Sequence, residues 1–229
     1  MADGRREPRR SAPGQSRSEE IRLAALGLFA ERGYLATSME DIGQAAGIRG
    51  PSVYRHYPSK QQMLYEIMRD TMDTLIAEQQ LAVSTMTDLV ARLRRMVEAH
   101  VRYHARHRLE AFVGNREIKN LDDEKRAQVL AQRHTYESGL RKVIEAGVAD
   151  GSFQVGSSRL ASYAILDMGM GISAWYSPHG ELTESQVVYE YGEFALSLVR
   201  AGRPREAALG ESAPGESAPG APESNINAS

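Results

Sequence analysis

The sequence predicts an all-α fold. Three observations lead there: apolar residues recur at helical spacing, capping and breaking residues fall between the periodic stretches, and no stretch alternates as a half-buried strand does. With 229 residues, 41% of them hydrophobic, the chain can bury a sizeable core, which excludes disorder of the whole. Lys and Arg number 28 against 30 Asp and Glu, so coating nucleic acid by bulk charge is excluded. Any DNA binding must come from a local patch. The absence of cysteine removes disulfides, thiol nucleophiles and thiolate-held zinc or iron–sulfur clusters. No apolar run approaches the roughly 18 residues of a membrane helix, and the Arg-rich start lacks a signal peptide's apolar segment. A soluble, cytoplasmic protein is expected.

Residues 1–15, with Arg5, Arg6, Arg9, Arg10, Pro8 and Pro13, read as a disordered basic arm. The first helix has a capping box at Ser16 and Glu19 and an apolar stripe of Ile21, Ala24, Ala25, Leu28 and Phe29, and stops at Gly33. The second has a capping box at Thr37 and Glu40, turns Met39, Ile42 and Ala46 inward, and stops at Gly47. The third is short, with Gly50 as N-cap, Pro51 in the first position and an end before Pro58. Ser59 and Gln62 open a long fourth helix along Leu64, Ile67, Met68, Thr71 and Leu75. Further helices are expected at about 87–107, 109–119, 123–148, 158–176 and 184–201, nine in all. From Gly202 the chain is rich in Pro, Gly, Ser, Ala and Glu. Its five-residue unit Glu-Ser-Ala-Pro-Gly is written twice over 211–220, which reads as a flexible tail. The organisation expected is an arm (1–15), a small head (16–60), a larger bundle (61–201) and a tail (202–229).

Residues 37–60 carry the strongest functional pattern. A helix-turn-helix needs two short helices and a turn residue that tolerates positive φ, and Gly47 sits there. Ala45 and Ala46 are the small residues expected to let the helices approach, and Ile48, Val53 and Tyr57 to seal the core behind them. Arg49, Ser52, Tyr54, Arg55 and His56 are left on outer faces. A recognition helix reads base edges near its N-terminus, which selects Arg49, Ser52 and Arg55. Thr37, Ser38, Tyr54, His56 and Lys60 would grip phosphates. Residues 1–60 hold ten Lys/Arg and seven acids, a net +3, and the remainder carries −5, which favours docking by one end. A generic helical hairpin with solvated charges is the bland alternative on spacing alone.

The stretch from Ser16 to about Leu64 resembles the DNA-binding domain of the TetR family of bacterial transcriptional regulators. The most specific piece is Val53-Tyr54-Arg55-His56-Tyr57-Pro58-Ser59-Lys60; Gly33-Tyr34, Thr37-Ser38 and Ala45-Ala46-Gly47-Ile48 match at the expected spacings. The resemblance implies phosphate contacts for Thr37, Tyr54, His56 and Lys60, a C-terminal ligand domain, and a homodimer through the last two helices. Many members have Ser or Thr, then Lys, then Gly before the recognition helix; this chain has Arg49-Gly50-Pro51. The usual Lys contact is lost at position 50, and Arg49 is its candidate replacement. Small residues Ala161, Ala164, Gly169, Gly171, Ser173 and Ala174 and apolar Val187, Val188, Tyr191, Phe194, Ala195 and Leu198 are compatible with the four-helix interface, or with ordinary packing within one chain.

His100, His104 and His107 continue the apolar stripe of Leu89, Leu93 and Met96, so they are expected to point inward. Two readings stand. The histidines line a polar region of a cavity, or they hold a divalent metal with Glu110, Glu117 or Asp167. Arg102, Arg106, Arg108, Arg116 and Lys119 concentrate positive charge nearby. With Trp175-Tyr176-Ser177-Pro178-His179-Gly180, this region resembles TetR members that respond to acyl-CoA thioesters, which implies an apolar cavity for the acyl chain and cations for the CoA phosphates. An unrelated hydrophobic ligand is the alternative. The ligand set expected is His100, His104, Arg116 and Trp175, with no cofactor, no bound metal and no catalysis. A metal-dependent enzyme and a helical protein adaptor are the other classes.

Overall fold

The computed structural model describes residues 16–200, so the expected basic arm (1–15) and tail (202–229) lie outside the described residues. Among these run nine α-helices and no strand: α1 (Arg17–Arg32), α2 (Met39–Ala45), α3 (Gly50–Val53), α4 (Lys60–Val83), α5 (Leu89–Arg106), α6 (Arg108–Glu117), α7 (Asp123–Asp150), α8 (Ser158–Trp175) and α9 (Glu184–Leu198). A 3₁₀ turn, Ile118–Asn120, follows α6.

Local chemistry sets the ends. Ser16 caps α1 by accepting the Glu19 N–H, and Gly33, at φ +86°, lets the chain leave the helix. The second capping box falls one residue later than expected. Ser38, not Thr37, is the N-cap, and Asp41, not Glu40, returns the bond to the Ser38 N–H. Those bonds hold the Asp41 carboxyl below the usual carboxylate range. Thr37 turns inward instead, buried, with its hydroxyl donating to the Gly33 carbonyl at 2.9 Å. At α3 the N-cap is Arg49, and Gly50 is already helical, so Pro51 is the second helical residue.

Gly47 makes the turn between α2 and α3 at φ +70°. The close approach of the two helices depends on Gly43 rather than on Ala45 and Ala46. A Cβ at Gly43 would stand 2.9 Å from the Gly50 nitrogen, whereas Ala45 is exposed.

The long α4 binds head to body. Ile21, Phe29, Ile42, Val53 and Tyr57 form one core with Met63, Leu64, Ile67, Met68, Met72 and Leu75 of α4, and it runs on into Tyr103, Val113, Val129 and Tyr136. Fully burying each large apolar side chain contributes about 1.5–3 kcal/mol, so the α4 residues shared by this core tie the stability of the head to that of the body. A second core joins α5, α7, α8 and α9 through Leu93, Val101, Leu140, Ile144, Ile165, Ile172, Val188 and Ala195. The small residues of α8 divide between two faces. Ala161, Gly169 and Ser173 pack inside the chain, whereas Ala164, Gly171 and Ala174 are exposed. Likewise Val187, Val188 and Ala195 of α9 are buried and Phe194 is half exposed.

Candidate DNA-reading head and ligand cavity

On the head, Arg49, Pro51, Tyr54, Arg55 and His56 are exposed along α3 and the turn that follows, and Ser52 is half-buried. Val53 and Tyr57 anchor the same segment from behind, and the Tyr57 hydroxyl meets the Ser18 hydroxyl at 3.1 Å. One edge therefore presents two guanidinium groups, a phenol and an imidazole. Gly50 is buried beneath it against Glu40, where a Cβ would overlap the carboxylate. Thr37 and Ser38 have their hydroxyls engaged within the head, Thr37 with Gly33 and Ser38 with Asp41 at 2.5 Å.

Lys60 is held inside the same region. Its Nζ donates to the carbonyls of Tyr34 at 2.7 Å and Thr37 at 2.6 Å, and lies 4.2 Å from the centre of the Tyr34 ring. Burial pushes the ammonium below its ordinary value, with Asp41 opposing. Two of its three N–H donors thus pin the α1–α2 loop to α4, leaving one for an outside acceptor.

A cavity of about 400 Å³ opens between α4, α5, α6, α7 and α8. Met72, Leu75, Ala111, Leu166 and Met170 supply its apolar lining. His100, His104, Tyr136 and Glu137 are its buried polar members, and Asn115, His134, Tyr163 and Asp167 stand at the exposed rim. Of the expected ligand residues the cavity gathers His100 and His104 and not Arg116 or Trp175. Arg116 pairs with Glu117 at 3.5 Å over the Phe112 ring. Trp175 is half exposed at the end of α8, near Tyr176 and Tyr191.

The other expected cations are also engaged elsewhere. Arg106 grips Glu184 through two bonds of 2.7 and 2.8 Å, with Arg102 3.7 Å from the same carboxylate, and Arg108 donates to the Ser173 carbonyl. Neither these arginines nor Lys119 lines the cavity. The cation that does is Arg133 of α7, which sequence reasoning missed. It donates to the Gly114 carbonyl at 3.0 Å, makes no ion pair among the described residues, and is pushed below the ordinary arginine value by burial. A signal existed: Arg133 lies at helical spacing on the stripe of Tyr136, Leu140 and Ile144, a cation on an inward face that also carries Glu137.

The histidines do not all turn inward. α5 ends at Arg106, and His107, at φ −111° and ψ 50°, leaves the helix and stacks on Tyr103. The i+7 position therefore no longer belongs to the stripe. His100 bonds through both ring nitrogens, to the Tyr136 hydroxyl at 2.9 Å and the Leu166 carbonyl at 3.0 Å. Gly169 makes room for this ring, since a Cβ there would overlap it. Burial, with the neighbouring His104, drives His100 well below the usual histidine value, and burial lowers His104 to about 4. Both rings are neutral at pH 7. Among the described residues, no three His, Asp or Glu side chains converge as a metal-holding group.

A helix-turn-helix with a basic outer edge, joined through one helix to a body enclosing a cavity, is the build of a DNA-binding transcriptional regulator. Residues 21–67 match the family model of bacterial regulatory proteins, tetR family, and residues 86–199 that of the tetracyclin repressor-like C-terminal domain. The chain is 35% identical over 189 residues to the HTH-type transcriptional repressor KstR2 of Rhodococcus jostii, covering 81% of this chain and 90% of that protein. The structure of the ketosteroid transcriptional regulator KstR2 of Mycobacterium tuberculosis superposes with a TM-score of 0.75 at 28% identity, over 80% of this chain and 94% of that one. AibR in complex with isovaleryl coenzyme A and operator DNA gives a TM-score of 0.72 at 25% identity, over 81% of this chain and all of that one. The chain belongs to the tetR family. No helix among the described residues is long and apolar enough to cross a membrane.

Proposed function

We propose that this protein is a cytoplasmic, dimeric repressor that leaves its operator when the cavity takes up a CoA thioester. The observation that carries the reading is Arg133, a half-buried cation with no ion-pair partner among the described residues, in the wall of a cavity that has both apolar and polar lining. A desolvated guanidinium of that kind suits the anionic portion of a ligand whose apolar portion lies against Met72, Leu75 and Met170. The relative AibR, of the same fold, was solved with isovaleryl coenzyme A and operator DNA together.

On DNA, Arg49, Ser52 and Arg55 read base edges and Tyr54, His56 and the remaining donor of Lys60 meet phosphates. Gly50 and Pro51 shape the helix start, buried Thr37 braces the edge from within through its bond to the Gly33 carbonyl, and exposed Ser38 supports it as the cap of α2. The dimer forms through the outer faces of α8 and α9, where Leu160, Tyr163, Trp175, Tyr189 and Phe194 are exposed. Two heads so joined match a palindromic site, with half-sites about 34–36 Å or a multiple apart. The ligand acts by binding one head spacing more tightly than the other, a population shift that needs this difference in affinity. Neither the head nor the cavity assembles a nucleophile with its base, and no catalytic role is proposed.

Fluorescence polarization on DNA flanking the protein's own gene, with and without a panel of acyl-CoAs, tests the reading. Release by one thioester supports it. Specific binding indifferent to the whole panel would sink the thioester and keep the repressor.

A further inference from the structure

The inner wall of the cavity holds an acceptor without a donor. His104 is 3% exposed and lines the cavity. Its Nδ1 lies 2.8 Å from the His100 carbonyl, and because a carbonyl only accepts, Nδ1 carries the hydrogen. The adjacent ring is fixed in the opposite sense: His100 Nε2 must donate to the Leu166 carbonyl, so its Nδ1 accepts from the Tyr136 hydroxyl. A neutral imidazole protonated at Nδ1 offers a lone pair at Nε2. That atom makes no hydrogen bond among the described residues and is not one of the side-chain atoms sealed off without a partner, so it is open to the cavity. Burial keeps the ring from charging, so the lone pair persists at neutral pH.

We infer that His104 is a specificity-determining residue, and that the cavity selects ligands whose buried end carries a neutral hydrogen-bond donor, a hydroxyl above all, which His104 Nε2 accepts. This deepens the ligand-sensing reading and rests on it for the cavity's being the sensing site. A ketone or ester at the same position would set its lone pairs against that of Nε2, and a carboxylate would bring its charge into a cavity that Glu110, Glu137 and Asp167 already line. A site built to hydrogen-bond one group discriminates against the analogue that lacks it, because a ligand that fills the cavity shuts water away from Nε2 and must supply the donor itself.

The test uses the full chain and a matched pair of small probes, 4-tert-butylcyclohexanol and 4-tert-butylcyclohexanone. They share an apolar body and differ in donor against acceptor. Binding is followed by NMR of the imidazole ¹⁵N resonances. The expected result is an alcohol bound about five- to tenfold more tightly than the ketone, a shift of His104 Nε2 on binding the alcohol, and loss of the preference in His104→Phe. Equal or reversed affinities, failure of both probes to bind, or a free protein with His104 protonated at Nε2 would each overturn it. The last observable needs no variant, so a His104→Phe protein that fails to fold leaves the test intact. Neither probe contains a thioester. An alcohol preference with no release of operator by acyl-CoAs would therefore separate the failure of the CoA reading from that of this one.

Discussion

Lys60 in the head and Arg133 in the body are both half-buried cations whose ordinary values are lowered by burial, and neither forms an ion pair among the described residues. Lys60 gives two of its donors to main-chain carbonyls and closes a loop. Arg133 bonds one carbonyl, with only a long 3.4 Å contact to Asn115 besides, and turns the rest of its guanidinium to a cavity. The same desolvation thus serves two ends. A cation satisfied by its own chain is structural; one left short of partners is held ready for something else.

The sharpest way to break this contrast is acid. A histidine whose folded value lies near 4 binds its proton less readily than the unfolded chain at about 6.5. The stability this neutral ring contributes is therefore complete above about pH 6.5 and falls as pH drops toward 4, by at most about 3 kcal/mol for His104. Chemical denaturation between pH 7 and 4 should show that decline, and His104→Phe should flatten some of it. A slope unchanged by the substitution would mean that the body's buried groups titrate no differently from the rest.

Next in size, Arg133→Gln should weaken a releasing CoA thioester by about 10- to 100-fold, the scale of a lost hydrogen bond to a charged group, with operator affinity unaltered. Calorimetry with the thioester and polarization with the operator separate the two. Lys60→Met should do the reverse: about 1–2 kcal/mol of stability lost in a urea melt, with ligand affinity retained. If Arg133→Gln destabilises the fold while Lys60→Met leaves it intact, the roles assigned to the two cations are exchanged. Smallest of all, Glu184→Gln removes an exposed pair with Arg106 and should cost under about 1 kcal/mol in the same melt.

The head was legible because its instructions are short-range. Gly47, Val53, Tyr57 and the caps at Ser16 and Ser59 act within one or two turns of chain, and each sits where spacing placed it. The differences there are local: the boxes expected at Ser16–Glu19 and Ser59–Gln62 are single caps, with the Glu19 side chain on Arg22 and that of Gln62 on Glu66, and the second box shifts by one residue. Ser38 and Thr37 can both cap a helix, and only the burial of Thr37 decides between them. The body was legible in its helices and not in its cavity. Proximity along the chain suggested that arginines near the histidines would serve the ligand, yet Arg106 finds Glu184, 78 residues away. Which cations remain free depends on how α5 meets α9, a contact no local pattern encodes. The interior of the cavity could be half read, because His100 and His104 lie on an apolar stripe. The tautomer of His100 could not, since it depends on Leu166 and Tyr136 from other helices.

Re-targeting this head to a foreign operator would meet limits that its surface does not advertise. Randomising Arg49, Ser52, Tyr54 and Arg55 alters groups that point outward or nearly so, and such a library should fold. Position 50 is the one where relatives would tempt an engineer to restore a lysine. Here a Cβ at Gly50 would fall on the Glu40 carboxylate and stand 3.2 Å from the Glu40 Cα, so any side chain must displace that carboxylate and ease α2 back slightly, and the Gly50 backbone in turn leaves no room for a Cβ at Gly43. A borrowed recognition sequence would have to bring its own partners at 40 and 43 with it. The portable unit is the α2–α3 pair, not the helix alone.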